Sequence, residues 1–90
     1  MKATDLKKNE VILCVTVEEC LAIEKLMHKS GLCWCTGSSY IERSVSLDFI
    51  GEHCYYPKYG SHAILDYFEG RKASIYPASL FLENTSYEIY

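Results

Sequence analysis

A chain of 90 residues, 49% hydrophobic and 23% charged, has room for one domain and is too apolar to stay disordered. Its formal net charge is −3 and its Lys and Arg residues are scattered, which argues against duplex nucleic acid as partner, because counterion release needs a basic face. No run is long enough to span a bilayer and the first residues form no apolar signal segment, so a soluble, cytoplasmic protein with no membrane partner is expected.

Residues 1–9 are polar and expected to be flexible. Glu10 to Thr16 is then almost wholly apolar and rich in β-branched side chains, the pattern of a central strand covered on both faces. Thr16-Val17-Glu18-Glu19 is a capping box, in which the hydroxyl accepts from an amide three residues on and the carboxylate reaches back. It opens a helix over 17–30. Cys20, Ile23, Leu26 and Met27 form its apolar stripe, with Val17 and Leu21 beside it and Glu18, Glu24, Lys25 and Lys29 off it. Gly31 is placed to end it in a left-handed conformation.

Leu32-Cys33-Trp34-Cys35 reads as a short strand with both cysteines on one face and Trp34 on the other. Residues 36–39 form a turn-like cluster. Residues 44–50 alternate polar and apolar, predicting a half-buried strand with Val45, Leu47 and Phe49 inward. Residues 53–61 are ambiguous, since Pro57 restricts any strand there to an edge. Residues 62–68 and 73–76 read as a hairpin turning at Glu69-Gly70-Arg71-Lys72, and 77–82 as a helical turn with Pro77 at its first position. Residues 83–90 are a tail or a weak last strand. Together these elements predict an α+β fold, one main helix packed on a largely antiparallel sheet of about four or five strands. So small a core makes a homo-oligomer the expected state.

Chemistry-bearing residues are few. Five cysteines without a signal segment are expected to be reduced thiols. Cys33, Cys35, His53 and Cys54 could supply four zinc ligands, but their spacing lacks the paired half-sites of structural zinc, so no metal is expected and packing is the simpler role. Cys20 lies in the first turns of the helix, where a thiol can be activated, yet on the apolar stripe. His28, His53 and His62 follow no ligand spacing, and no nucleophile elbow, zinc-protease, P-loop or dinucleotide motif occurs. No catalytic residue and no cofactor is predicted; a small metal- or thiol-dependent enzyme is the alternative.

Tyrosine beside Arg or Lys is the more informative pattern. Tyr40, Arg43, Tyr55, Tyr56, Lys58, Tyr59, Arg71 and Lys72 fall in predicted loops and strand ends, where rings and cations can stack on a base and contact phosphate. The same residues would also serve as a tyrosine-rich protein interface, or simply as the soluble rim of a small core.

The order of elements resembles that of small bacteriophage accessory proteins. Thr16-Val17-Glu18-Glu19 is similar to their helix entry, and Ser30-Gly31-Leu32-Cys33-Trp34 to their glycine-to-tryptophan element, although Leu32 stands where an aromatic residue is expected. Residues 73–82 resemble their closing extended stretch and short helix ending in Phe-Leu. The likeness spans about residues 10–82 and carries no catalytic residue across. It implies a virus-encoded protein made in a bacterial host, of a kind that often counters host defence stoichiometrically. The partner would be either a defence protein, which it blocks, or a small nucleotide messenger, which it sequesters.

Overall fold

The computed structural model describes residues 2–45 and 51–82. Four strands and three helices follow one another as β1 (Glu10–Cys14), α1 (Val17–Lys29), β2 (His53–Tyr56), β3 (Ser61–Ile64), α2 (Leu65–Gly70), β4 (Ser74–Pro77) and α3 (Ser79–Leu82). The strands form one sheet in the order β3-β2-β1-β4. β1 pairs antiparallel with β2 and parallel with β4, and β2 pairs antiparallel with β3. The fold is therefore α+β, with one main helix on a four-stranded mixed sheet.

Strand alternation explains why both faces of this sheet are covered. Ile12, Cys14 and Tyr55 enter the larger core with Cys20, Ile23 and Met27 of α1, while Val11 and Cys54 point the other way onto Phe68 of α2. β1 is thus the doubly covered inner strand that its unbroken apolar run predicts. Helix α1 starts and stops as expected. The Glu19 amide donates to Thr16 Oγ1 (3.1 Å), Glu19 Oε1 accepts from the Val15 amide (2.9 Å), and Gly31 has φ +84°.

Several expectations are corrected. The predicted hairpin over 62–76 does not form. Leu65 to Gly70 is helical, and the four-residue hairpin turn lies instead at Pro57–Gly60, between β2 and β3. Leu65 and Phe68, three apart, meet the sheet from one side of a helix, so tertiary packing overrides the strand preference of Tyr67 and Phe68. β3 and β4 both run parallel to β1, and α2 is the crossover between them. Pro57 does not demote its strand to an edge, because it sits just past β2, which is internal. Pro77 ends β4 on the sheet's outer edge rather than opening α3. Near the N-terminus, Ala3–Asp5 is a 3-10 turn, and Ala3 and Leu6 are buried.

The strand predicted at residues 32–35 is also absent. The Trp34 amide donates to the Ser38 carbonyl (2.9 Å) and the Gly37 amide to the Trp34 carbonyl (2.8 Å), winding the segment into a tight turn. Alternation therefore does not apply; Trp34 is buried, while Cys33 and Cys35 are both exposed rather than packed. Of the strand predicted over 44–50, only Ser44 and Val45 lie among the described residues, neither in a strand. The tail or last strand at 83–90 lies outside them.

Candidate functional site

Two clefts flank β3, one on each face of the sheet. The first, about 480 Å³, opens on the α2 side and is lined by Tyr56, Tyr59, Ser61, His62, Ala63, Tyr67, Phe68 and Arg71, with Lys8 at its margin. Its aromatic walls interlock edge to face. Tyr56 meets Tyr59 at 4.9 Å between centroids and Phe68 at 5.6 Å, and Phe68 meets Tyr67 at 5.1 Å. Tyr59 and Tyr67 are nonetheless about half exposed, at 49% and 52%, so each leaves ring surface for a ligand.

Helical spacing positions the cation. Arg71 follows Tyr67 by four residues; its guanidinium carbon lies 5.4 Å from the Tyr67 ring centroid, and Nη1 donates to the Tyr67 hydroxyl oxygen (3.1 Å). That leaves the Tyr67 O–H able to donate to an incoming acceptor, and four further guanidinium N–H groups around Arg71. Asn9 joins the two sides of this cleft. Its amide donates to the Tyr56 hydroxyl (2.7 Å), its Nδ2 to the Lys72 carbonyl (3.3 Å), and its carbonyl accepts from the Ser74 amide (2.9 Å). Its φ of +68° suits asparagine better than most side chains.

The second cleft, about 380 Å³, opens on the α1 side and is lined by Trp34, Cys35, Thr36, Arg43, Val45, Gly60, Ser61 and His62. Buried hydrogen bonds hold its wall. Trp34 Nε1 donates to the Arg43 carbonyl (2.8 Å), and the next two residues dock on Glu24, only 2% exposed, through Ser44 Oγ (2.6 Å) and the Val45 amide (3.0 Å). The Tyr55 hydroxyl donates to the same carboxylate (2.7 Å), and burial, then the Glu24 charge, pushes the Tyr55 phenol up. The His62 ring lies 5.2 Å from Trp34 and stacks at 4.8 Å on His53.

Three of the predicted site residues, Tyr56, Tyr59 and Arg71, meet in the first cleft, and Arg43 lines the second. The others are dispersed. Tyr40 and Tyr55 are fully buried, because the turn at 34–40 folds one ring against Trp34 (4.3 Å) and β2 directs the other at Glu24; neither can meet a ligand. Burial also pushes the Tyr40 phenol up to about 12, helped by charge at Cys33 and Cys35. Lys58 lines a separate hollow near Leu6 and Leu32, and Lys72 sits exposed in the α2–β4 turn with φ +56°. Lys8, Tyr67, His62 and Glu24 were not predicted. The Tyr67/Arg71 spacing would have joined those two had the segment been read as helix.

Among the described residues no three His, Cys, Asp or Glu side chains gather as a metal site would need. Cys14 is pushed up by its hydrogen bond with Cys20 and then by burial, and burial takes Cys54 up to about 12; the bond with Cys14 lowers Cys20, but Cys20 is fully buried and out of reach of a substrate. These three thiols suit packing rather than attack. No helix among the described residues is long and apolar enough to cross a membrane. Searches against protein-family models, curated proteins and solved structures find no match for this chain.

Proposed function

We propose that this is a non-enzymatic, cytoplasmic binding protein that captures a nucleotide in the α2-side cleft. In the phage-type setting that the sequence resembles, it would act as an oligomer and withdraw a nucleotide messenger from a bacterial host's defence. The observation that supports this reading is the gathering of exposed Tyr59 and Tyr67 rings with Arg71 and Lys8 around one cavity. Rings offer a stacking surface for a base, and the cations offer charge-assisted hydrogen bonds for phosphate.

Titration calorimetry of the full chain with adenosine, guanosine, cytidine and uridine monophosphates tests it. At least one should bind, and Arg71→Ala should weaken that binding about tenfold or more, the effect of one charge-assisted hydrogen bond. A folded protein that binds none of the four contradicts the reading.

A second reading, occlusion of a host protein, has its own support in exposed Val15, Val17 and Leu21, which cluster where α1 begins. It requires a stoichiometric complex in host cells that Leu21→Asp disrupts without unfolding the protein. The thiol-enzyme alternative turns on Cys35, which is exposed and shares the second cleft with His62. Full function in Cys35→Ser removes it.

A further inference from the structure

The two clefts are neighbours across a single strand. Ser61 and His62 line both of them, and consecutive strand residues point to opposite faces, so the partition between the clefts is β3 alone, about 5 Å wide. β3 ends the described sheet, and its α1-side residues His62 and Ile64 are exposed. The charges match as well. Lys8 and Arg71 line one cleft and Arg43 the other, and no Asp or Glu is among the described lining residues of either, in a chain whose net charge is −3. Each cleft pairs its cations with rings, Tyr59 and Tyr67 on one side, Trp34 and His62 on the other.

Arg43 is also prepared for such a role. Its backbone is tied down on one side by Trp34 and on the other by the buried Glu24 carboxylate, although its own side chain is at the surface. A loop held by those part-buried hydrogen bonds has little backbone ordering left to lose on binding, so the cost is confined to the Arg43 side chain.

Building on the nucleotide reading above, we propose that the two clefts form one site, whose ligand is two nucleotides joined by a phosphodiester that crosses β3 at Ser61. One base stacks in the α2-side cleft and the other on the exposed His62 ring, which packs against buried Trp34. Each cleft alone is of the size that holds one small ligand, and linking two such ligands raises affinity without new contacts.

Calorimetry of the full chain with AMP, with the dinucleotide pApA and with a single-stranded oligoadenylate tests this. The dinucleotide should bind one per chain and at least about tenfold more tightly than AMP. Arg43→Ala should remove that advantage, bringing pApA down to the affinity of AMP, whereas Arg71→Ala should weaken both ligands. Since Arg43 is exposed, an unchanged circular-dichroism melt is expected, and Thr36→Glu, which narrows the second cleft and opposes phosphate there, serves as an independent variant with the same expected result. Should pApA bind no more tightly than AMP, or keep its advantage in both variants, the joined site is overturned while the single-nucleotide reading stands. If pApA and all four monophosphates fail to bind, both fall. Oligoadenylate binding as tightly as pApA, with the same dependence on Arg43, identifies the linked nucleotides as part of a strand; weaker binding identifies a free dinucleotide.

Discussion

Gly60 shows how closely single residues constrain this fold. A Cβ built on it would lie 2.5 Å from the Cys35 amide nitrogen, 2.7 Å from the Cys33 carbonyl oxygen and 2.9 Å from the Trp34 carbonyl carbon. All three are backbone atoms that cannot swing away, and φ is +66°. Gly60→Ala is therefore expected to destabilise the protein by about 2–4 kcal/mol in chemical denaturation, combining overpacking with a strained backbone. Glu24 is the second such residue. Replacing it with Ala leaves the Tyr55 hydroxyl, Ser44 hydroxyl and Val45 amide without their acceptor, and a loss of about 3 kcal/mol or more is expected. Glu24→Gln keeps shape and one acceptor oxygen and should lose about half as much. Glu24 was expected off the apolar stripe, but it follows Cys20 by four residues and precedes Met27 by three, so it belongs to the buried face; its charge hid that spacing. It is the loop at 44–45, distant in sequence, that gives the carboxylate partners inside.

At the level of elements, legibility follows how local the determining interaction is. Helix α1 was readable because Thr16, Glu19 and Gly31 each act within a few residues of the backbone they cap. β1 was readable because burial on both faces writes a continuous apolar run. The region 61–77 was misread because its deciding contacts are long-range: Phe68 is drawn onto Val11 and Cys54, and Ile75 pairs beside Val11 rather than folding back on β3. Phe68→Ala should test that assignment. Loss of a buried phenyl is expected to lower stability by about 3–5 kcal/mol, whereas Tyr67→Ala, half exposed on the same helix, should change it far less. The Cys-Trp-Cys stretch belongs to the same lesson, since two-residue alternation has no meaning once Gly37 and Ser38 wind Trp34 into a turn.

Asn9 ties elements together at the site. Asn9→Gly keeps the backbone conformation and the amide bond to Tyr56 but loses the side-chain bond to the Lys72 carbonyl. It should leave the melting temperature within a few degrees and still weaken nucleotide binding, because the turn carrying Arg71 loses its one side-chain tie to Asn9 and keeps only the backbone bond from Ser74. Equal affinity in wild type and variant would show that Asn9 serves the fold alone.

Across the whole molecule, four of the eight predicted site residues line one of the two clefts. Tyr56, Tyr59 and Arg71 share a cleft, whereas Tyr40 and Tyr55 pack inside; sequence neighbours along a loop or strand need not share a surface. Lys8 reaches the cleft only because β1 runs down the middle of the sheet and delivers the preceding residues to Tyr56. The chain is acidic overall, yet the described linings of these two clefts carry cations and no carboxylate, and that separation of charge supports the proposed ligand capture. The most direct measurement is calorimetric titration of wild type and Arg71→Ala with nucleoside monophosphates. Binding by the wild type that falls about tenfold or more in a fully folded variant is the expected result. Absence of binding to every nucleotide, or equal binding by both proteins, would contradict the account.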